Sequence, residues 1–188
     1  MKRAQHKNPN GTALLLIDVI NDLDFPQADQ LLRFALPMAK RIQQLKMRAQ
    51  QADVPVIYVN DNFGRWQSDL KAQVAHCARP ESQGREIVEM LRPDHDDYFV
   101  LKPKHSGFYS TTLDVLLRHL GCQTVILTGI ATNICVLFTA NDAYLRDYRV
   151  RVPRDCSAAN QQADHDYAIS QMERILKADT CLAEEIDW

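Results

Sequence analysis

Thr124-Val125-Ile126-Leu127-Thr128-Gly129-Ile130-Ala131-Thr132-Asn133-Ile134-Cys135-Val136 is the stretch from which the fold can be read. Its first four residues form a short, largely apolar run rich in β-branched side chains. Such a run reads as a strand buried on both faces. From Val136 to Arg146 the apolar residues fall at helical spacing, so a helix spanning Thr132–Asp147 is expected. Cys135 therefore sits where a strand hands over to a helix. Backbone N–H groups at a helix start lack internal partners, and the helix dipole is positive there. That placement predicts a thiol pushed toward thiolate, the nucleophilic form.

The same strand-then-helix rhythm extends outward in both directions. Ala13–Asp18 reads as the first strand, and Leu31 to Ala52 as an amphipathic helix that Pro37 should kink or restart. Val54–Val59 reads as the second strand, with a short helix expected around Ser68–His76 after a polar loop. A short helix, Arg85–Leu91, leads to a third strand at Tyr98–Leu101. A helix over Thr111–Leu120, ended by Gly121, precedes the fourth strand. Arg149–Val152 is the fifth strand, Gln162–Lys177 the last helix, and Thr180–Ala183 a sixth short strand. Apolar strands alternating with helices predict an α/β fold: a doubly wound, mostly parallel, six-stranded open sheet with helices on both faces, in three layers.

The 188 residues fit one domain, residues 1–188, with no repeat or linker. Hydrophobic residues make up 46% and charged residues 24%, with a net charge of -2. This balance gives no reason to expect nucleic acid or an anionic membrane as partner. The apolar run Ala13 to Ile17 is too short for a membrane span or a signal core, so a cytoplasmic location is expected. Five cysteines, none in C-x-x-C spacing, argue against disulfides or a zinc ribbon.

In doubly wound sheets the ligand site lies beyond the carboxyl ends of the strands. Asp18, Asn60-Asp61-Asn62, Lys102 with Lys104 and His105, Thr128 to Cys135, and Asp155-Cys156 occupy those ends. Alone, Asp18 reads as a turn cap and Lys102 as a lysine reaching water. An Asp, a Lys and a Cys on one edge together make a base, a countercharge and a nucleophile.

Three segments then carry a resemblance to the isochorismatase-like cysteine hydrolases, a group that includes nicotinamidases and N-carbamoylsarcosine amidohydrolase. They are Leu15-Leu16-Ile17-Asp18-Val19-Ile20-Asn21-Asp22, Lys102-Pro103-Lys104-His105-Ser106-Gly107-Phe108, and Gly129 to Val136 followed by Thr139-Ala140-x-Asp142-Ala143. The resemblance implies Asp18 as general base, Lys102 as the stabilising cation and Cys135 as nucleophile. It implies a cis peptide between Ile130 and Ala131, and an oxyanion site built from the Ala131 and Cys135 N–H groups. The expected reaction is cleavage of a small amide or ureido C–N bond through a thioester.

Departures from the family's pattern narrow that expectation. Members that cleave the vinyl ether of isochorismate often carry Gly where this chain has Cys135, which makes that activity the alternative reading. A non-catalytic, thiol-reactive or ligand-binding protein is the second alternative. Nicotinamidases place metal-binding histidines after the second strand. Here the stretch is Asn60-Asp61-Asn62-Phe63-Gly64-Arg65-Trp66, with no histidine before His76, so no metal and no cofactor are expected. Ile20 stands where relatives often have Gln. Phe25, Asn62, Phe63 and Trp66 lie on loops that should border the substrate pocket; their aromatic rings can stack on a planar ligand or meet a second subunit. The expected partners are a small-molecule substrate and further copies of the chain, as a dimer or tetramer. His105 reads as a neighbour of the site, Cys156 as a buried inert thiol, and Asp94-His95-Asp96-Asp97 as a solvated turn.

Overall fold

A computed structural model describes residues 8, 11–61 and 69–188 of the chain. Among these residues six strands form one sheet: β1 (Thr12–Ile17), β2 (Val56–Asp61), β3 (Tyr98–Lys102), β4 (Thr124–Ile130), β5 (Arg149–Arg151) and β6 (Ser157–Ala158). The order is β3-β2-β1-β4-β5, with β6 also on β4, and every pairing is parallel. The direction of strand succession reverses between β1 and β4, which makes their carboxyl ends the switch point of the sheet.

Among the described residues six α-helices cover the two faces: α1 (Ala28–Gln51), α2 (Leu70–Cys77), α3 (Arg85–Met90), α4 (Leu113–His119), α5 (Leu137–Tyr144) and α6 (Gln162–Leu176). The alternation along β1 divides the core. Leu14 and Leu16 pack with α1 and α3, while Ala13, Leu15 and Ile17 pack with α4, α5 and α6. Burying side chains of this size is worth about 1.5–3 kcal/mol each. That burial on both faces is why the inner strands carry unbroken apolar runs, such as Ala13–Ile17 in β1, while the edge strand β5 reads Arg-Val-Arg.

Two expectations about elements are corrected. The helix does not restart at Pro37: α1 runs without interruption from Ala28 to Gln51, with the proline inside it. A proline inside a helix costs one backbone hydrogen bond. Here it sits on the exposed side, while Ala35, Met38, Ala39, Ile42, Leu45 and Ala49 hold the opposite face in the core. The sixth strand is Ser157–Ala158 rather than Thr180–Ala183; an isolated bridge to Arg151 falls at Asp179, just before that segment. Two-residue strands carry too little pattern to be seen in sequence.

The acidic run before β3 is also more than a solvated turn. Lys46, on the buried face of α1, pairs with Asp94 at 2.8 Å and Asp97 at 2.7 Å, donates to the Arg92 carbonyl, and lies over the Tyr58 ring. The clasp ties α1 to the loop that feeds β3.

Gly129 controls the close approach of β4 to β1. It faces Ile17 in the register, has φ +110°, and a Cβ there would lie 2.0 Å from the Ile17 carbonyl oxygen. Gly129→Ala is expected to destabilise the fold by about 4 kcal/mol or more, since both backbone conformation and contact forbid it. A melting temperature equal to that of the parent would refute this reading of the switch point.

Candidate active site

Asp18 follows the last residue of β1 and turns the chain there, with φ 52° in the left-handed region that Asp tolerates better than most residues. Its N–H donates to the Val59 carbonyl at 3.0 Å, and its Oδ1 accepts the Asp61 N–H at 2.7 Å. Asn60 clamps the same corner, donating from Nδ2 to the Ile20 carbonyl at 2.7 Å. The carboxyl is thereby held by the backbone of two neighbouring strands. Ile20, the position where relatives often carry Gln, is fully buried in the core on the α1 face.

Lys102 is the last residue of β3, and its side chain is 1% exposed. An ammonium has three N–H donors and needs three partners when buried. Lys102 Nζ reaches Asp18 Oδ2 at 2.8 Å, the Lys104 carbonyl at 3.2 Å and Cys135 Sγ at 3.4 Å. The lysine thus lies between the carboxyl and the sulfur.

Cys135 is partly buried on a single π-helical turn, Thr132–Val136, that joins β4 to α5. The N–H groups of Ile134 and Val136 both donate to the Ala131 carbonyl, at 3.0 and 3.2 Å. The peptide between Ile130 and Ala131 is cis. A regular helix was expected across this join. π turns have no distinct side-chain periodicity, so this one became visible only from the backbone.

The loop after Lys102 is locked to the helix that follows the π turn. Thr139 Oγ1 donates to the Cys135 carbonyl at 2.7 Å and accepts the Gly107 N–H at 3.0 Å. Ser106 Oγ donates to Asp142 Oδ2 at 2.5 Å, Arg146 pairs with Asp142 at 2.9 Å, and the Arg146 guanidinium lies over the Phe108 ring. These contacts explain why the Ser106-Gly107-Phe108 and Thr139/Asp142 segments occur together: they hold Lys102 and Cys135 in register. Sequence reasoning quoted these residues without assigning them this work. His105 Nδ1 lies 4.0 Å from Cys135 Sγ, and its exposed ring meets Phe138 edge-on.

The electrostatics correct one expectation. Cys135 is not a resting thiolate: burial, followed by the negative Asp18, pushes the thiol up to about 12, and the Lys102 charge opposes this only in part. Burial also raises the Asp18 carboxyl above its usual 3.8, against the lowering influence of Lys102, the Cys135 thiol and the Asp61 N–H. Burial disfavours the Lys102 cation, but the charges of Asp18 and Cys135 outweigh it and hold Lys102 protonated. The group therefore contains one cation and one anion, and a single proton shared between carboxyl and sulfur. Moving that proton from sulfur to carboxyl leaves the charge count unchanged, with Lys102 beside either anion.

A pH dependence follows. Hydrolysis that needs the Asp18 carboxylate is lost as pH falls through its ionisation, and because that pKa is raised, the acid limb of kcat/KM should lie above 3.8. The thiol and the lysine titrate too high to interfere, so the rate should stay level from neutral pH to about 10. A rate that climbs steadily between pH 7 and 10 would indicate a simple thiolate nucleophile instead.

Of the pocket residues expected from sequence, Phe25 is 40% exposed at the turn that leads into α1. Asn62, Phe63 and Trp66 lie outside the described residues. His76 pairs with Asp22 at 2.8 Å. Among the described residues no group of three or more His, Cys, Asp or Glu is placed to hold a metal ion, and no helix is long and apolar enough to cross a membrane.

Known proteins share this chain's sequence pattern and fold. The family model for the isochorismatase domain matches residues 12–184. The chain belongs to the isochorismatase family. Among this family's members it is 42% identical over 174 residues to protein YaaI of Bacillus subtilis strain 168, covering 93% of this chain and 95% of YaaI. The ureidoacrylate amidohydrolase RutB of Acinetobacter baylyi is 29% identical over 167 residues, covering 74% of this chain and 67% of RutB. The crystal structure of N-carbamoylsarcosine amidase from Thermoplasma acidophilum superposes with a TM-score of 0.71 at 28% identity, covering 94% of this chain and 99% of the amidase. This isochorismatase-family chain is accordingly a hydrolase, with the doubly wound three-layer fold of those relatives.

Proposed function

We propose that this hydrolase cleaves a small amide or ureido C–N bond through a thioester at Cys135, with Asp18 as the acid–base group and Lys102 as the fixed cation. The observation that carries the reading is the position of Lys102 Nζ, 2.8 Å from Asp18 Oδ2 and 3.4 Å from Cys135 Sγ. Asp18 takes the thiol proton as sulfur attacks the carbonyl carbon, forming the S–C bond. The oxyanion rests on the Ala131 and Cys135 N–H groups, each worth about 3 kcal/mol to the transition state. The C–N bond then breaks, and protonated Asp18 gives its proton to the departing nitrogen. Water, deprotonated by Asp18, cleaves the thioester and releases the acid. A sulfur nucleophile suits acyl transfer, and two similar proteins are named for amide-type substrates, ureidoacrylate and N-carbamoylsarcosine.

The test is a side-by-side assay of primary amides, ureidoacrylate, N-carbamoylsarcosine and isochorismate. Ammonia release from the nitrogen compounds, with a Cys135-linked acyl group seen by mass spectrometry after acid quench, is the expected result. Consumption of isochorismate alone would replace this reading with vinyl-ether hydrolysis.

A further inference from the structure

The π turn that carries Cys135 differs from an α-helical start in what it does with one backbone group. In an α-helix the Ala131 carbonyl would accept the Cys135 N–H, four residues on. Here it accepts the N–H groups of Ile134 and Val136, at 3.0 and 3.2 Å, and passes over the one between them. The Cys135 N–H is thereby kept off that carbonyl. The α register is the commoner closure of a helical turn, so a π turn persists where other contacts hold it.

Two side chains brace this one. Thr139 Oγ1 donates to the Cys135 carbonyl at 2.7 Å. That is a bond to the carbonyl four residues back, which Thr makes in ordinary helices, so it does not select the register. The second brace comes from outside the turn. Thr132, its first residue, is fully buried, and its hydroxyl lies 2.9 Å from Nδ1 of His165, 33 positions along the chain.

His165 is itself held firmly. It stands in the first turn of α6, where its N–H donates to the Gln161 carbonyl at 3.2 Å, and Ala168, Ile169 and Met172 bury the helix. Burial holds the imidazole below its ordinary range, against the charge of Asp166 and a hydrogen bond to the Arg154 backbone. A neutral imidazole has one donor and one acceptor nitrogen. With the proton toward the Arg154 backbone, Nδ1 accepts and the Thr132 hydroxyl donates. The chain before the turn is fixed as well, since β6 pairs with Gly129 and Ile130.

We propose, on the thioester reading above, that His165 is a positioning residue: its hydrogen bond to Thr132 holds the π register and so reserves the Cys135 N–H for the oxyanion. Without that bond the turn relaxes to the α register, and the Ala131 carbonyl takes the N–H instead.

His165→Leu and Thr132→Val each remove the bond, the second with little change of side-chain shape, while Thr132→Ser keeps the hydroxyl. Each full-length variant is compared with the parent by thermal melt, by acylation of Cys135 with p-nitrophenyl acetate, and by amide hydrogen exchange at Cys135 resolved by NMR. Loss of the bond should lower the maximal acylation rate about 10²-fold, the effect of losing one oxyanion donor, with the half-saturating ester concentration within about twofold of the parent's. It should slow exchange of the Cys135 amide about tenfold or more, as the α register captures that N–H. Thr132→Ser should stay within about threefold of the parent on both measures. A contact that served stability alone would loosen the turn when lost and speed the exchange. The proposal is overturned if both bond-removing variants acylate as the parent does, if their Cys135 exchange is unchanged or faster, or if the ester does not acylate parental Cys135. The ester and exchange results need no amide substrate, so a panel without ammonia release would defeat the amide reading alone.

Discussion

Cys135→Ala is expected to lower hydrolysis by about 10⁴-fold or more while leaving the melting temperature close to that of the parent. In the proposed mechanism the sulfur is the atom that bonds to the acyl carbon, and no other described thiol is placed to substitute for it. Cys77, Cys122 and Cys156 are buried, and Cys122 is pushed up to about 11 by that burial. Cys181 is partly buried near Asp179 and Arg151, away from the switch point. Because Cys135 is itself only partly buried, removing its sulfur should change stability by no more than about 1 kcal/mol. Thermal melts and kcat/KM on the best substrate of the panel check both halves. Residual activity within tenfold of the parent would remove Cys135 from the chemistry.

The second large effect concerns the buried ion pair. Lys102→Met leaves the Asp18 carboxylate 8% exposed and without its cation, and stability should fall by about 3–5 kcal/mol. Activity should fall by about 10³-fold as well, since neither the thiolate nor the carboxylate keeps its countercharge. Asp18→Asn takes the lysine's counter-ion instead and removes the proposed base. The double variant, Asp18→Asn with Lys102→Met, removes both charges and should recover most of the stability but none of the activity. Denaturant unfolding of the three variants measures the coupling. If the single variants are as stable as the parent, the pair is not the closed electrostatic unit described above.

Much of the architecture was legible because β1, β2 and β4 are buried on both faces, and that burial is written as unbroken apolar runs such as Leu14-Leu15-Leu16-Ile17. The carboxyl-end rule then brought Asp18, Lys102 and Cys135 to one edge without coordinates. What stayed hidden depends on things that sequence does not encode locally. The π turn differs from an α-helix by one residue in its hydrogen-bond closure, not in its side-chain spacing. The protonation of Cys135 is decided by burial and by Asp18, 117 positions away in the chain, rather than by the helix start alone. Lys46 reads as the polar interruption of an apolar stripe, and its partners Asp94 and Asp97 come from a separate loop. β6 is too short to carry a pattern, and Pro37 obeys tertiary packing over local propensity.

The high resting pKa of Cys135 also bears on the sulfur's durability. Peroxides and disulfides react with the thiolate, and oxidation of cysteine begins from that form. With the thiol held at about 12, almost none of it is ionised at neutral pH. In the proposed mechanism the sulfur becomes nucleophilic only when its proton passes to Asp18, as an acyl carbon arrives to meet it. On that proposal, an oxidant that cannot trigger the transfer would meet a protonated thiol, and the sulfur would be shielded between turnovers by the same proton it must give up to react.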